Sequence, residues 1–181
     1  MSKAKLAGIG LLVAVVAGVA ATMAFAPSVQ AVSAPLPANA AVGQITIDGI
    51  RGGDSVETSK IEIESWSWGM NQTGTFSTPG RANVHDFTIA KTLDKASPKL
   101  YQACAEHQPL DQVTVEIFRP GSSSDVYMTI KMENAIISSV QPGGSGAAPM
   151  DNVTINFQKV TFKYTAKDGS TVQGIVVNPP S

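Results

Sequence analysis

Ile61-Glu62-Ile63-Glu64-Ser65-Trp66-Ser67-Trp68-Gly69 holds both tryptophans of the chain. It starts as an alternating strand, with Ile61 and Ile63 on one face. Strand side chains alternate with period two, so Trp66 and Trp68 fall on the opposite face from those isoleucines. Two solutions are open. Either both faces are partly buried, or a bulge between Ile63 and Trp66 switches the phase. Each places the strand between two packing layers or at the corner of a barrel. Glu62 and Glu64 share a face about 7 Å apart, a spacing that suits paired acid–base carboxylates. No nucleophile or base accompanies them, and they read as a solvated face.

The flanking segments repeat the alternation. Residues 44–50 form a first short strand around Ile45 and Ile47, closed by the turn signal Asp48-Gly49. Gly52, Gly53, Asp54 and Ser55 mark residues 51–58 as a loop, and residues 59–68 are the second strand. Residues 70–82, with Asn71, Gly74, Pro79 and Gly80, read as a long exposed loop. Residues 83–93 are a strand with Phe87 and Ile89 facing in. Ser97 as N-cap and Pro98 at the first helical position then start the one convincing helix. Leu100, Ala103 and Cys104, with His107 beyond, share its apolar face, and Gln108-Pro109 stops it.

From Asp111 onward every segment reads as strand. Val113, Val115 and Ile117 alternate; residues 120–124 turn; Val126, Met128, Ile130 and Met132 follow. A bend at Glu133-Asn134 leads into residues 135–140, and residues 141–149 are a loose loop. Val153, Ile155 and Phe157 are one step out of phase with Val160, Phe162 and Tyr164, which predicts a bulge near Gln158-Lys159. Lys167-Asp168-Gly169-Ser170 is a hairpin turn before the last strand, residues 171–177. About seven or eight strands with one flanking helix make a mainly β chain, a compact barrel or sandwich of two packed sheets.

The 181-residue chain opens with Lys3 and Lys5 and then an uncharged run, residues 6–26. A basic segment followed by an apolar one is the pattern of a secretory signal, with Val29-Gln30-Ala31 as the cleavage site and Ala31 its last residue. The alternative is an uncleaved membrane anchor, since about 20 residues can span a bilayer. Both place the folded part outside the cytoplasm, periplasmic or secreted. Residues 32–43 are an Ala/Pro linker, and residues 44–178 make the single domain. Without Lys3 and Lys5 the 13 basic residues fall to 11 against 14 acidic ones, a net charge of −3. That balance argues against nucleic acid and against a basic membrane patch. The single Cys104 permits no intrachain disulfide and reads as a buried small hydrophobe. His85 and His107 lack metal-ligand spacing, so neither metal nor cofactor is expected.

Trp66-Ser67-Trp68-Gly69-Met70-Asn71-Gln72-Thr73-Gly74 resembles the strand and loop of the haemolysin-coregulated protein (Hcp) family, the tube protein of type VI secretion. Val84-His85-Asp86-Phe87-Thr88-Ile89 and Asp94-Lys95-Ala96-Ser97-Pro98-Lys99-Leu100 are similar to that family's next strand and helix start. Cys104, Ile137-Ser138-Ser139-Val140 and Asn152-Val153-Thr154-Ile155-Asn156-Phe157 follow in the family's order. Together these matches cover residues 44–177. The resemblance implies a non-enzymatic β-barrel subunit, six copies of which form a ring. Rings stack into a tube whose lumen can hold small effector proteins. The implied partners are further copies of the chain, effectors and other type VI components.

Two site expectations follow. Ser67, between two inward indoles, faces outward and is the candidate lumen or cargo contact. Asn71, Gln72, Thr73, Gly74, Thr75 and Phe76 are the candidate ring-stacking loop that the resemblance implies. Family members are made without a Sec signal, whereas this chain carries one. A second reading is therefore an exported Hcp-like binding module, periplasmic or at the surface, working outside the type VI machine.

Overall fold

Alternation becomes architecture through one sheet that curls until its two ends meet. The computed structural model describes residues 41–52, 59–78, 80–144 and 148–178. The expected signal, with Ala31, and most of the expected linker lie outside them. The main sheet runs in the order β2 (Lys60–Ile63), β1 (Gly43–Ile47), β7 (Leu110–Phe118), β8 (Val126–Gly143), β9 (Met150–Thr165), β6 (Phe87–Thr92) and β3 (Ser65–Ser67). All these pairings are antiparallel. The first and last strands of that order are neighbours in sequence, with Glu64 alone between them. The Glu64 N–H donates to the Ala90 carbonyl at 2.8 Å, extending the β3–β6 ladder back to the break. The result is a nearly closed barrel, an arrangement that leaves few unpaired edges.

This resolves the awkward phase of the opening stretch. Ile61 and Ile63 are buried from β2, and Trp66 and Trp68 are half-buried from beyond the break. The phase switches because the chain changes partners at Glu64, not because one ladder gains a residue. Trp66 stacks on the core Phe87, centroids 5.9 Å apart and planes within 5°. Trp68 packs on Phe162 at 4.7 Å. Such aromatic pairs add about 0.5–1.5 kcal/mol beyond their buried area.

The interior is filled by inward residues of every long strand, among them Ile45, Ile89, Val115, Ile130, Val153 and Ile155. Residues 141–143, expected in a loop, extend β8 and pair with the start of β9. β8 and β9 change phase together: Met132 pairs with Val160 and Ala135 with Phe157, all four buried. Asn134, at φ 51°, stands between them. Both strands run through Glu133-Asn134, where a bend is expected, and the register is unbroken at Gln158-Lys159, where a bulge is expected. A true bulge lies at Ser138, between Ile137 and Ser139. β1 begins at Gly43, one residue inside the stretch expected as linker.

The helix α1 (Ser97–Ala105) lies against β8 and buries Leu100 and Ala103. Its N-cap is Ala96, so Ser97 and Pro98 sit one position further in than expected. Its stop is a Schellman turn: His107 N–H donates to Cys104 O and Gln108 N–H to Ala103 O, with His107 at φ 51°. Gln108-Pro109 only follows this turn, and His107 is exposed rather than on the apolar face. The expected 70–82 loop is a hairpin, β4 (Met70–Gln72) paired with β5 (Ala82–Val84). The final strand, β10 (Thr171–Val177), pairs with the second half of β9.

Candidate functional site: outer face, hairpin and open edge

Directly paired residues share a face of a sheet. Register sets Ser67 opposite Thr88, Thr88 opposite Thr154, and Thr154 opposite Ser139. Four small hydroxyl residues from four strands thus form one row on the outer surface. Ser67 is exposed, and Thr88 and Thr154 hydroxyls lie 3.4 Å apart. Beside the row, Asp86 accepts hydrogen bonds from Ser138 and Asn156, both at 2.8 Å. Oppositely charged residues pair further along the outer surface, where Lys60 meets Glu116 and Glu133 lies between Lys131 and Lys159. Ser67 therefore belongs to a short-chained, hydroxyl-rich field. The sequence singled out Ser67 alone; its row depends on register across strands far apart in the chain.

Of the loop candidates, Asn71 and Gln72 lie in β4, and Asn71 Oδ1 is 3.0 Å from His85 Nε2. Thr75 and Thr78 exchange backbone hydrogen bonds of 2.9 and 3.2 Å around the tip. Phe76 stands on that tip, fully exposed. Gly74 faces Gly80 so closely that a Cβ on Gly74 would lie 2.1 Å from the Gly80 nitrogen. Only glycine lets the two arms approach so closely. The hairpin thus presents a phenylalanine on a tightly closed stem.

β10 presents another kind of surface. Among the described residues it pairs only with β9, leaving its other edge open. Val172, Ile175 and Val177 are 71%, 56% and 63% exposed, and no charged residue interrupts residues 171–177. Natural edge strands are usually guarded by charge, proline or a bulge.

One polar cluster was missed from sequence. Lys91 and Asp151 are fully buried and directly paired across β6 and β9. Lys91 Nζ is 2.7 Å from the Thr92 carbonyl, 3.0 Å from Ser97 Oγ, 2.8 Å from Asp94 Oδ1 and 3.4 Å from Asp151 Oδ2. Asp151 also accepts from Ser97 Oγ and, at 2.6 Å, from the Tyr101 hydroxyl. Burial pushes the Asp151 carboxyl up, but the hydrogen bonds from Ser97 and Tyr101 and the nearby Lys91 outweigh it and hold it below the usual range. The bond to Asp151, helped by burial, raises the Tyr101 hydroxyl to about 12. Ser97 beside Lys91 has the spacing of a nucleophile and base, yet Ser97 is only 1% exposed and its hydroxyl is bonded to Asp151. The cluster locks the helix start to the barrel. The signal was present: Lys91 continues the inward phase of Phe87 and Ile89, and Asp151 that of Val153 and Ile155.

The family model for "Type VI secretion system effector, Hcp" matches residues 45–164, most of the described barrel. The chain belongs to the Hcp family. Protein hcp1 of Pseudomonas aeruginosa is 34% identical over 102 residues, 51% of this chain and 63% of that relative. The match thus spans less than two thirds of the curated Hcp protein. A type VI secretion system effector from Yersinia pestis, known from its crystal structure, is 28% identical with a TM-score of 0.63, over 75% of this chain and 98% of its own. Hcp1 of Salmonella typhimurium, at 24% identity and a TM-score of 0.65 over 75% of this chain and 93% of its own, shares the fold. The Hcp family is one of structural type VI secretion proteins.

Proposed function

We propose that this chain is a ring-forming tube subunit of type VI secretion. Copies join side by side through the open edge of β10, in hexameric rings. Rings stack through the β4–β5 hairpin with Phe76 at its tip, and the hydroxyl field around Ser67 meets effector cargo in the lumen. The observation that carries this reading is the unguarded, apolar β10, which needs a cover of its own kind to stay out of water. The hydroxyl field supports the cargo assignment, because short neutral side chains contact many protein surfaces without desolvating a charge.

Light scattering on the eluting protein tests the edge. The wild-type chain is expected at ring mass and Ile175→Lys with Val177→Lys as monomer. Both side chains are exposed, so the barrel should fold unchanged. A doubly substituted chain still at ring mass would overturn the β10 assignment. Ser67→Gln is expected to keep the ring and weaken cargo retention. Unchanged retention would remove Ser67 from the lumen.

A second reading is favoured by the N-terminal segment. An uncharged run at residues 6–26 behind Lys3 and Lys5 suits an exported Hcp-like module acting outside the machine.

A further inference from the structure

A cleft of about 740 Å³ opens at one end of the barrel. Its wall includes Val42, Trp66, Ile117 and Tyr127, with Gln44 and Glu62 among its polar groups. That volume is in the range of ligand pockets, about 300–1,000 Å³. The Arg119 guanidinium lies 5.5 Å over the Tyr127 ring and is tied by Nε to Asp125 at 2.8 Å, which fixes that aromatic wall. Trp66 is held by its stack on Phe87. Two positioned aromatic rings in an apolar trough are the features that bind a polyproline II segment, whose shape is set before binding.

The chain enters the barrel at this cleft. Ala41 and Val42 line it. The residues just before them read Pro35-Leu36-Pro37-Ala38-Asn39-Ala40, with no charge. We propose that this cleft is the docking site of the chain's own Pro35-Leu36-Pro37 segment, seated in cis. Leu36 is five residues from Ala41, and five residues of polyproline II reach about 16 Å. A segment tethered at the rim has an effective concentration of about millimolar or more, ahead of free proline-rich partners. Its prolines lose little conformational freedom on docking, and the segment carries no charge of its own to desolvate. The docked segment covers Trp66 and Tyr127.

A diazirine side chain placed at position 36 of the intact protein tests this. Photolysis followed by peptide mass spectrometry is expected to give cross-links within one chain, to peptides carrying Trp66 or residues 117–127. Pro35→Gly with Pro37→Gly is expected to lower that yield several-fold while the barrel stays folded, read as an unchanged circular dichroism spectrum at the same temperature. Cross-links between two chains, cross-links to other surfaces, or a yield indifferent to the glycine substitutions would each overturn the proposal.

Discussion

Lys91 and Asp151 are oppositely charged and sealed inside the barrel. Removing one partner of such a pair strands the other charge, at about 3–5 kcal/mol, while replacing both by apolar side chains is often neutral. Asp151→Ala is therefore expected to lower urea stability by about that amount. Lys91→Met with Asp151→Leu should recover most of it; a double variant as weak as the single would show that the polar cluster itself is required. The same pair gives a pH dependence. The folded Asp151 carboxyl lies below its usual range, so the unfolded chain takes up its proton first as pH falls. Its contribution is present in full above about pH 4 and is lost as pH drops through the folded value. Tyr101 acts at the other end: stabilisation through its hydroxyl holds below about pH 10 and fades as pH rises through about 12. Urea midpoints across pH should show both flanks, and Lys91→Met with Asp151→Leu should flatten the acid one.

At the scale of elements, His107 is the strained point. It holds the left-handed position of a Schellman turn, where a side chain costs about 1 kcal/mol and glycine costs almost nothing. His107→Gly is expected to stabilise the fold by about 0.5–1 kcal/mol, read as a raised thermal midpoint; a loss of stability would mean that the imidazole has a structural role. The strands were legible because one buried face enforces alternation, and the helix because Ser-Pro marks a start. What escaped was tertiary. Ser97 at the first helical position gives the same local signal as Ser97 at the cap, and only Asp151, far along the chain, turns its hydroxyl inward. The hairpin looked like a loop because its stem is exposed, so no face enforces a pattern. The open edge of β10 was illegible because the composition of residues 171–177 marks a strand but not its neighbours; its exposure follows from sharing one side of β9 with β6.

For the whole molecule the question is route. As a tube subunit, the chain is expected to stop reaching the medium when the type VI machine is deleted, and to keep doing so when residues 1–31 are removed. Immunoblots of fractionated cultures check both, with mass spectrometry of the mature N-terminus reporting cleavage after Ala31. The opposite pattern would transfer the chain to the exported module. The family itself was legible because its short motifs keep their order along the chain, each fixing a different part of one barrel. The surfaces were less so, since Ser67 acquires its hydroxyl neighbours only through register.

The seam at Glu64 also orders events in time. β2 and β3 adjoin in sequence but meet partners at opposite ends of the sheet, so the ring of strands cannot shut until β1, β7, β8, β9 and β6 are in place. Closure depends on long-range pairings, which form slowly. Both tryptophans sit just past that seam, one on Phe87 and one on Phe162. In a refolding experiment the intrinsic fluorescence of this protein is therefore a clock for the last step, the shutting of the barrel, rather than for the first collapse of the chain.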